Sequence, residues 1–223
     1  MSDPLGDGVS SVELTAHMGD DLMVVNAARV SLAKQSDWLN NGTGQESLSV
    51  KDARLIAYLA RNGHWTPFSQ PQLQFRIKMP IFVARQWYKH QIGFTRNETS
   101  RRYVDERPQI YMPTEWRLRA ESVKQGSSSE TRKLEHDEHA PLGEIIRVYL
   151  NMVANGIAPE MARMILPQST YTEFIETASL YAYARLYRLR TDEHAQLETQ
   201  LYAAAVGALI APLFPKSWAA LCG

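Results

Sequence analysis

Hydrophobic positions along this chain change period several times, and each change marks an element. Ser49-Val50-Lys51-Asp52 has the form of a helix start, a serine cap with an acidic residue three further on. Leu55, Ile56 and Leu59 then recur at helical spacing until Asn62-Gly63 ends the run. Leu73, Phe75, Ile77 and Met79 alternate with Gln74, Arg76 and Lys78, the period of a strand with one buried face. Pro80 stops that strand and opens a helix predicted over 80–92, with Phe82, Val83 and Trp87 for packing, Arg85, Lys89 and His90 gathered toward its end, and Gly93 as terminator. After Pro141, Ile145, Ile146, Tyr149, Leu150 and Val153 share one helical face as far as Asn155-Gly156, and Pro159 opens a short successor that ends before Pro167. Tyr171 to Ala178 reads as a strand. Helices over about 179–190 and 192–213 follow, the second capped by Asp192.

Strands interleaved with helices and partly joined by short links predict an α+β fold. We expect a single domain over residues 1–223, with a mainly antiparallel sheet flanked by helices. Residues 121–140 interrupt the pattern with Gly126, the run Ser127 to Ser129 and many charges. Such a composition buries too little apolar area to offset chain ordering, so a mobile surface loop is expected there.

Composition narrows the classes. A hydrophobic share of 44% over 223 residues supports one sizeable core. Twenty-four basic side chains balance twenty-four acidic ones, so bulk charge draws the chain to neither nucleic acid nor an acidic membrane, and any affinity for anions is local. Cys222 is the only cysteine, which leaves no internal disulfide framework and no thiolate zinc site. The polar stretch from Met1 to Ser11 and the lack of any apolar run of bilayer length give the expectation of a soluble, unexported, cytoplasmic protein without a membrane partner.

Local anion chemistry concentrates in Arg85-Gln86-Trp87-Tyr88-Lys89-His90-Gln91 and, after Gly93, Arg96-Asn97-Glu98-Thr99-Ser100-Arg101-Arg102-Tyr103. Arginine forks match phosphate oxygens, while Asn, Glu and Ser can read a ring edge or a sugar. By composition alone the same stretch is equally a solvated basic turn. Gln86 and Lys89 are three apart and share a face of the predicted helix. Glu98 and Arg102 can pair with each other or grip a substrate. Arg163 reads as a solvated helical arginine, and Arg190 as a cation at a helix C-terminus. Ser100 has no base beside it in sequence and is read as a hydrogen-bonding group rather than a nucleophile. His64, His90 and His194 lie in distant segments without ligand spacing, so no metal is expected; His136 and His139 fall in the charged loop and are read as solvated.

The segments Lys89-His90-Gln91 and Asn97-Glu98-Thr99-Ser100-Arg101-Arg102-Tyr103 resemble the signature of the flavin-dependent thymidylate synthases, a basic R-H-R triplet followed by N-E-x-S-x-R-Y. Three further segments are similar to that family in its usual order: 61–68 (RNGHWTPF), 161–167 (MARMILP) and 189–196 (LRTDEHAQ). The likeness spans roughly residues 20–215 and is weakest at 120–140. It departs from the family in the K-H-Q triplet and in a gap one residue longer between the signature's halves.

The resemblance implies reductive methylation of dUMP to dTMP, with methylenetetrahydrofolate as carbon donor and NADPH reducing bound FAD. It assigns dUMP to Gln86, Lys89, Glu98, Ser100, Arg101, Arg102, Arg163 and Arg190, with Arg190 as the residue that activates the uracil ring. It assigns FAD to His64, Thr66, Lys89, His90, Gln91, Asn97, Glu98 and His194. Ser179 and Arg185 stand where the family often carries asparagines, and are expected to contact FAD with different geometry. It further implies a homotetramer whose active sites draw on more than one subunit, and no enzyme nucleophile. A nucleic-acid-binding module built on the basic and aromatic residues of 85–103, and a flavoprotein that has lost methylation, are the alternative readings.

Overall fold

A computed structural model describes residues 1–40, 46–121, 126–133 and 139–223. The elements in chain order are β1 (Ser11–Met18), α1 (Asp21–Arg29), β2 (Leu39–Asn40), β3 (Glu46–Ser47), α2 (Val50–Arg61), β4 (Gln72–Pro80), α3 (Ile81–Trp87), β5 (Phe94–Glu98), β6 (Trp116–Arg117), β7 (Thr131–Arg132), α4 (His139–Ala154), α5 (Pro159–Ala162), β8 (Tyr171–Ser179), α6 (Leu180–Arg190), α7 (Leu197–Ile210) and α8 (Pro215–Cys222). The main sheet has the order β1-β4-β8-β5 and is antiparallel throughout.

Alternation in β4 does what the sequence requires: Leu73, Phe75, Ile77 and Met79 are fully buried. Phe174 and Ala178 of β8 lie on the same inner face and pack with Val24, Ile56, Tyr183, Leu186, Tyr202 and Val206 from the helices. Each buried Leu, Ile, Val, Phe or Met among them contributes about 1.5–3 kcal/mol. Opposite this core face, Arg76 and Glu173 pair across β4 and β8. The α+β expectation holds, as does the antiparallel sheet flanked by helices.

Several elements depart from the sequence reading. Helix α3 stops at Trp87 rather than near Ile92 because the chain turns to enter β5 at Phe94 and pair with β8; around that turn Arg190 donates to Gln86 O (3.1 Å) and Arg96 to His90 O (2.7 Å). Lys89 therefore lies on a turn and shares no helix face with Gln86. Gly93 ends no helix; at φ +83° it leads into β5, with Ala182 Cβ 3.1 Å from where its own Cβ would stand. The stretch from Arg96 to Glu98, read as loop, is an edge strand paired with β8.

Asp192 caps no helix. Its carboxylate accepts from His194 N in a local turn, and α7 begins five residues later. Strand β1 and helices α1 and α8 were not anticipated. Within 121–140, residues 126–133 carry the β7 side of a short β6–β7 pairing, while 122–125 and 134–138, which include His136, lie outside the described residues. His139 opens α4. Among the described residues no helix is long and apolar enough to cross a membrane.

Candidate active site

Three neighbourhoods collect the chemistry-bearing residues. At the end of β5, strand pairing sets Glu98 beside β8, where its Oε1 accepts from the Thr172 hydroxyl at 2.5 Å. The chain then turns, with Ser100 Oγ accepting from Arg102 N (3.3 Å) and Arg101 donating to Glu106 O (2.6 Å). Glu98, Ser100 and Arg101 line a cavity of about 660 Å³ together with Arg163, which arrives from the turn following α5. Lys78 and Arg107 add positive charge to the same walls, and Glu106 and Glu173 add negative charge. Arg102 takes another course: it pairs with Glu160 at 3.3 Å on the exposed surface, so the alternative Glu98–Arg102 ion pair is not formed.

A second neighbourhood lies at the junction of α3, the following turn and α6. Arg190 Nε donates to His90 Nε2 at 2.9 Å, which leaves the His90 proton on Nδ1. Burial, then the charges of Arg190, Arg96 and Arg185, lower the His90 pKa from 6.5 to about 4, so the ring is neutral near pH 7. Burial also draws the Arg190 guanidinium below its ordinary value, though guanidinium groups stay charged in proteins. Gln86, whose carbonyl accepts from Arg190, donates from its amide nitrogen to Gln196 Oε1 (2.5 Å) and accepts at its amide oxygen from the Thr199 hydroxyl (3.3 Å). Beneath this group Arg96 pairs with fully buried Glu176 at 2.7 Å. Burial raises the Glu176 carboxyl above the usual range, against the pull of Arg96 and Trp87.

The third neighbourhood is a pair of cavities that share Trp65, itself 52% exposed. His64 and Thr66 line one of about 390 Å³, His64 standing edge-on to Tyr58. Ser179 and Arg185 line the other, of about 490 Å³, with Tyr181, Ile92 and Gly93. Ser179 also accepts from Ala182 N as the α6 cap. Lys89, Gln91 and Asn97 are exposed and line neither of these cavities. His194 stands exposed on the turn before α7 and lines neither of these two cavities.

Sequence reasoning gave no separate role to Trp65, Tyr181 or Glu176, and read Arg96 only within the basic stretch, not as a partner of Glu176. Glu176 left a readable signal, a carboxylate in phase with Phe174 and Ala178 on the buried face of a strand. Arg96 left none, because its partner is eighty residues away.

Cations converging on one cavity, aromatic walls on another and a neutral histidine held to a guanidinium define a protein suited to phosphorylated, ring-bearing ligands. The family described as "Thymidylate synthase complementing protein" matches residues 13–216. The flavin-dependent thymidylate synthase of Thermus thermophilus is 37% identical over 213 residues, covering 94% of this chain and 74% of the relative. That of Pseudothermotoga lettingae is 34% identical, covering 93% and 87%. A crystal structure of PolB from Streptomyces cacaoi, a UMP/dUMP methylase bound with 5-Br dUMP, superposes with a TM-score of 0.76 at 28% identity, covering 95% of this chain and 94% of PolB. The chain belongs to the flavin-dependent thymidylate synthase family.

Proposed function

We propose that this chain converts dUMP to dTMP by reductive methylation, with methylenetetrahydrofolate as carbon donor and NADPH as reductant of bound FAD. The observation that carries the substrate is the convergence of Ser100 and Arg101 with Arg163, from segments some sixty residues apart, on one cavity large enough for a nucleoside monophosphate. Arg163 and Arg101 take the phosphate, Ser100 and Glu98 hydrogen-bond the sugar or base, and Arg102, once freed from Glu160, joins them.

The residues present fit a flavin. The cavity at Trp65 offers ring faces from Trp65 and Tyr181, the backbone of Gly93, the Ser179 hydroxyl and the Arg185 charge. The adjoining cavity adds His64 and Thr66. Lys89, His90, Gln91, Asn97, Glu98 and His194, which line neither of these two cavities, are assigned to the flavin by the family likeness. When bound and reduced, FAD supplies the hydride. Arg190 steadies negative charge on the uracil ring, and its two anchors, His90 Nε2 and Gln86 O, fix the plane of that charge before substrate arrives. No enzyme thiolate takes part: burial pushes the Cys222 thiol up to about 12, where it is inert near neutral pH. A reducing cytoplasm suits this thiol.

The site is completed between copies. Thr172, beside the Glu98 cavity, and Glu176, beneath the Arg190 group, are four residues apart on β8, about 13 Å at strand rise. A homotetramer that brings the Arg190 group of one copy against the Glu98 cavity of another unites the two. The test is Arg190→Ala: turnover falls by about 10²–10³ while FAD stays bound, as expected for loss of one preorganised charge. Turnover within threefold of the parent would remove Arg190 from the activating role.

A further inference from the structure

Arg190 ends a chain of hydrogen bonds that begins on a carboxylate inside the sheet. Glu176 on β8, fully buried, accepts from Trp87 Nε1 at 3.0 Å and from Arg96 Nε at 2.7 Å. Arg96 lies over the Phe94 ring at 4.5 Å and the Tyr88 ring at 5.3 Å, and its Nη1 donates to the His90 carbonyl at 2.7 Å. The His90 imidazole then receives Arg190 Nε, and Arg190 Nη2 reaches Gln86 O.

Stability alone is a poor reason for such a chain. Two charges taken out of water lose several kcal/mol each, and apolar side chains of similar shape are often equally or more stabilising. What the chain provides is orientation. A neutral imidazole accepts only on the nitrogen that lacks the proton, so the His90 ring must be held both unprotonated and correctly turned for Arg190 to bond it.

We propose that Glu176 and Arg96 are positioning residues for the methylation reaction: they hold the His90 backbone so that Nε2 faces Arg190, and thereby set the plane in which the Arg190 guanidinium meets the uracil ring. Neither needs to touch substrate. The charged groups around His90 are Arg96 from β5, Arg185 and Arg190 from α6, the neighbouring Lys89 on its own turn, and Glu176 from β8 behind Arg96. Burial and these cations keep the imidazole neutral, and Glu176 pairs with one of them, Arg96.

That arrangement gives the two residues opposite signatures. Arg96→Met removes a cation, so proton uptake by His90 moves upward toward 6.5. Glu176→Gln leaves Arg96 uncompensated, so proton uptake moves further down. Both loosen the same carbonyl anchor, so both lower kcat by about tenfold or more while the dUMP KM stays within about threefold, as expected when an interaction serves the transition state rather than binding. Arg96→Lys keeps the charge and restores part of the rate.

The experiment follows the His90 imidazole nitrogens by NMR against pH in the full-length protein and both variants, with kcat, dUMP KM and thermal midpoint measured alongside. Opposite displacements of His90 with reduced kcat support the proposal. Unchanged His90 titration and kcat within twofold, with only the thermal midpoint lowered, would overturn it. Should Arg96→Met fail to fold, Glu176→Gln decides: a downward displacement with reduced kcat supports the proposal, and its absence refutes it. The kinetic arm rests on the role given to Arg190 above, whereas the NMR arm does not. A parent protein that makes no dTMP would sink that role and leave the titration to judge the positioning.

Discussion

Asp21, near the N-terminus, holds the start of the last helix. Its two carboxylate oxygens accept from Lys216 N at 2.7 Å and Ser217 N at 2.8 Å, in the first turn of α8, across 195 and 196 residues of chain. Phe214 occupies the cap position and makes no side-chain cap bond, so these N–H groups depend on Asp21. Replacing Asp21 by Ala removes two charge-assisted hydrogen bonds. Lys216 is exposed and its N–H returns to water, whereas Ser217 is fully buried and its N–H stays unpaired. The exposed end costs about 1 kcal/mol, as for an ordinary cap, and the buried orphan about 2 kcal/mol. A loss of about 3 kcal/mol lowers the melting temperature of a chain this size by about 6–12 °C. Asp21→Asn keeps one acceptor oxygen and should lose about half as much. Circular dichroism melts with urea titrations at 25 °C measure both. A loss below about 1 kcal/mol for the alanine variant, or equal losses for the two, would refute the assignment of both bonds to Asp21.

The remaining expectations concern the site. Arg163→Ala should raise the dUMP KM at least about tenfold, the value of one charge-assisted phosphate contact, with FAD content unchanged; loss of flavin instead would place Arg163 in the wrong cavity. The folded His90 pKa of about 4 lies below the unfolded 6.5, so the unfolded chain binds more protons between them. Stability linked to His90 is therefore present above pH 6.5 and is lost as pH falls toward 4, and protonation there also breaks the Arg190 bond. Turnover should accordingly hold down to about pH 5 on the acid side, and a limb centred near 6.5 and traced to His90 by NMR would contradict this. Ser100→Ala should lose less than about a hundredfold in kcat and yield no trapped covalent adduct in either protein by mass spectrometry, as for a hydrogen-bonding rather than a nucleophilic group. An adduct on Ser100 would overturn that role.

Elements with strong local signals were legible from sequence. The Ser49-x-x-Asp52 start of α2 forms as expected, Ser49 Oγ accepting from Asp52 N while its hydroxyl donates to Asp52 Oδ2. Burial works against the Asp52 carboxylate, yet hydrogen bonds from Ser49, Arg29 and Ser36 hold it below the usual range. Strands β4 and β8 follow their alternation because one face meets helices. The misread elements are those decided by distant partners. Helix α3 ends early because the chain turns into β5 to pair with the distant β8, and α8 is capped from α1. Of the residues the resemblance singled out, Glu98, Ser100, Arg101 and Arg163 share a cavity, and His90 bonds Arg190. Arg96 and Glu176, eighty residues apart, become visible as a pair only when β5 lies against β8.

The most direct test of the account is one anaerobic experiment on purified full-length protein: the absorption spectrum after adding FAD, its bleaching by NADPH, and the yield of dTMP once dUMP and methylenetetrahydrofolate are supplied. The account predicts flavin bands, bleaching, and dTMP formed in proportion to flavin reoxidised. Flavin that is reduced and reoxidised without dTMP, or no flavin bound at all, would contradict it.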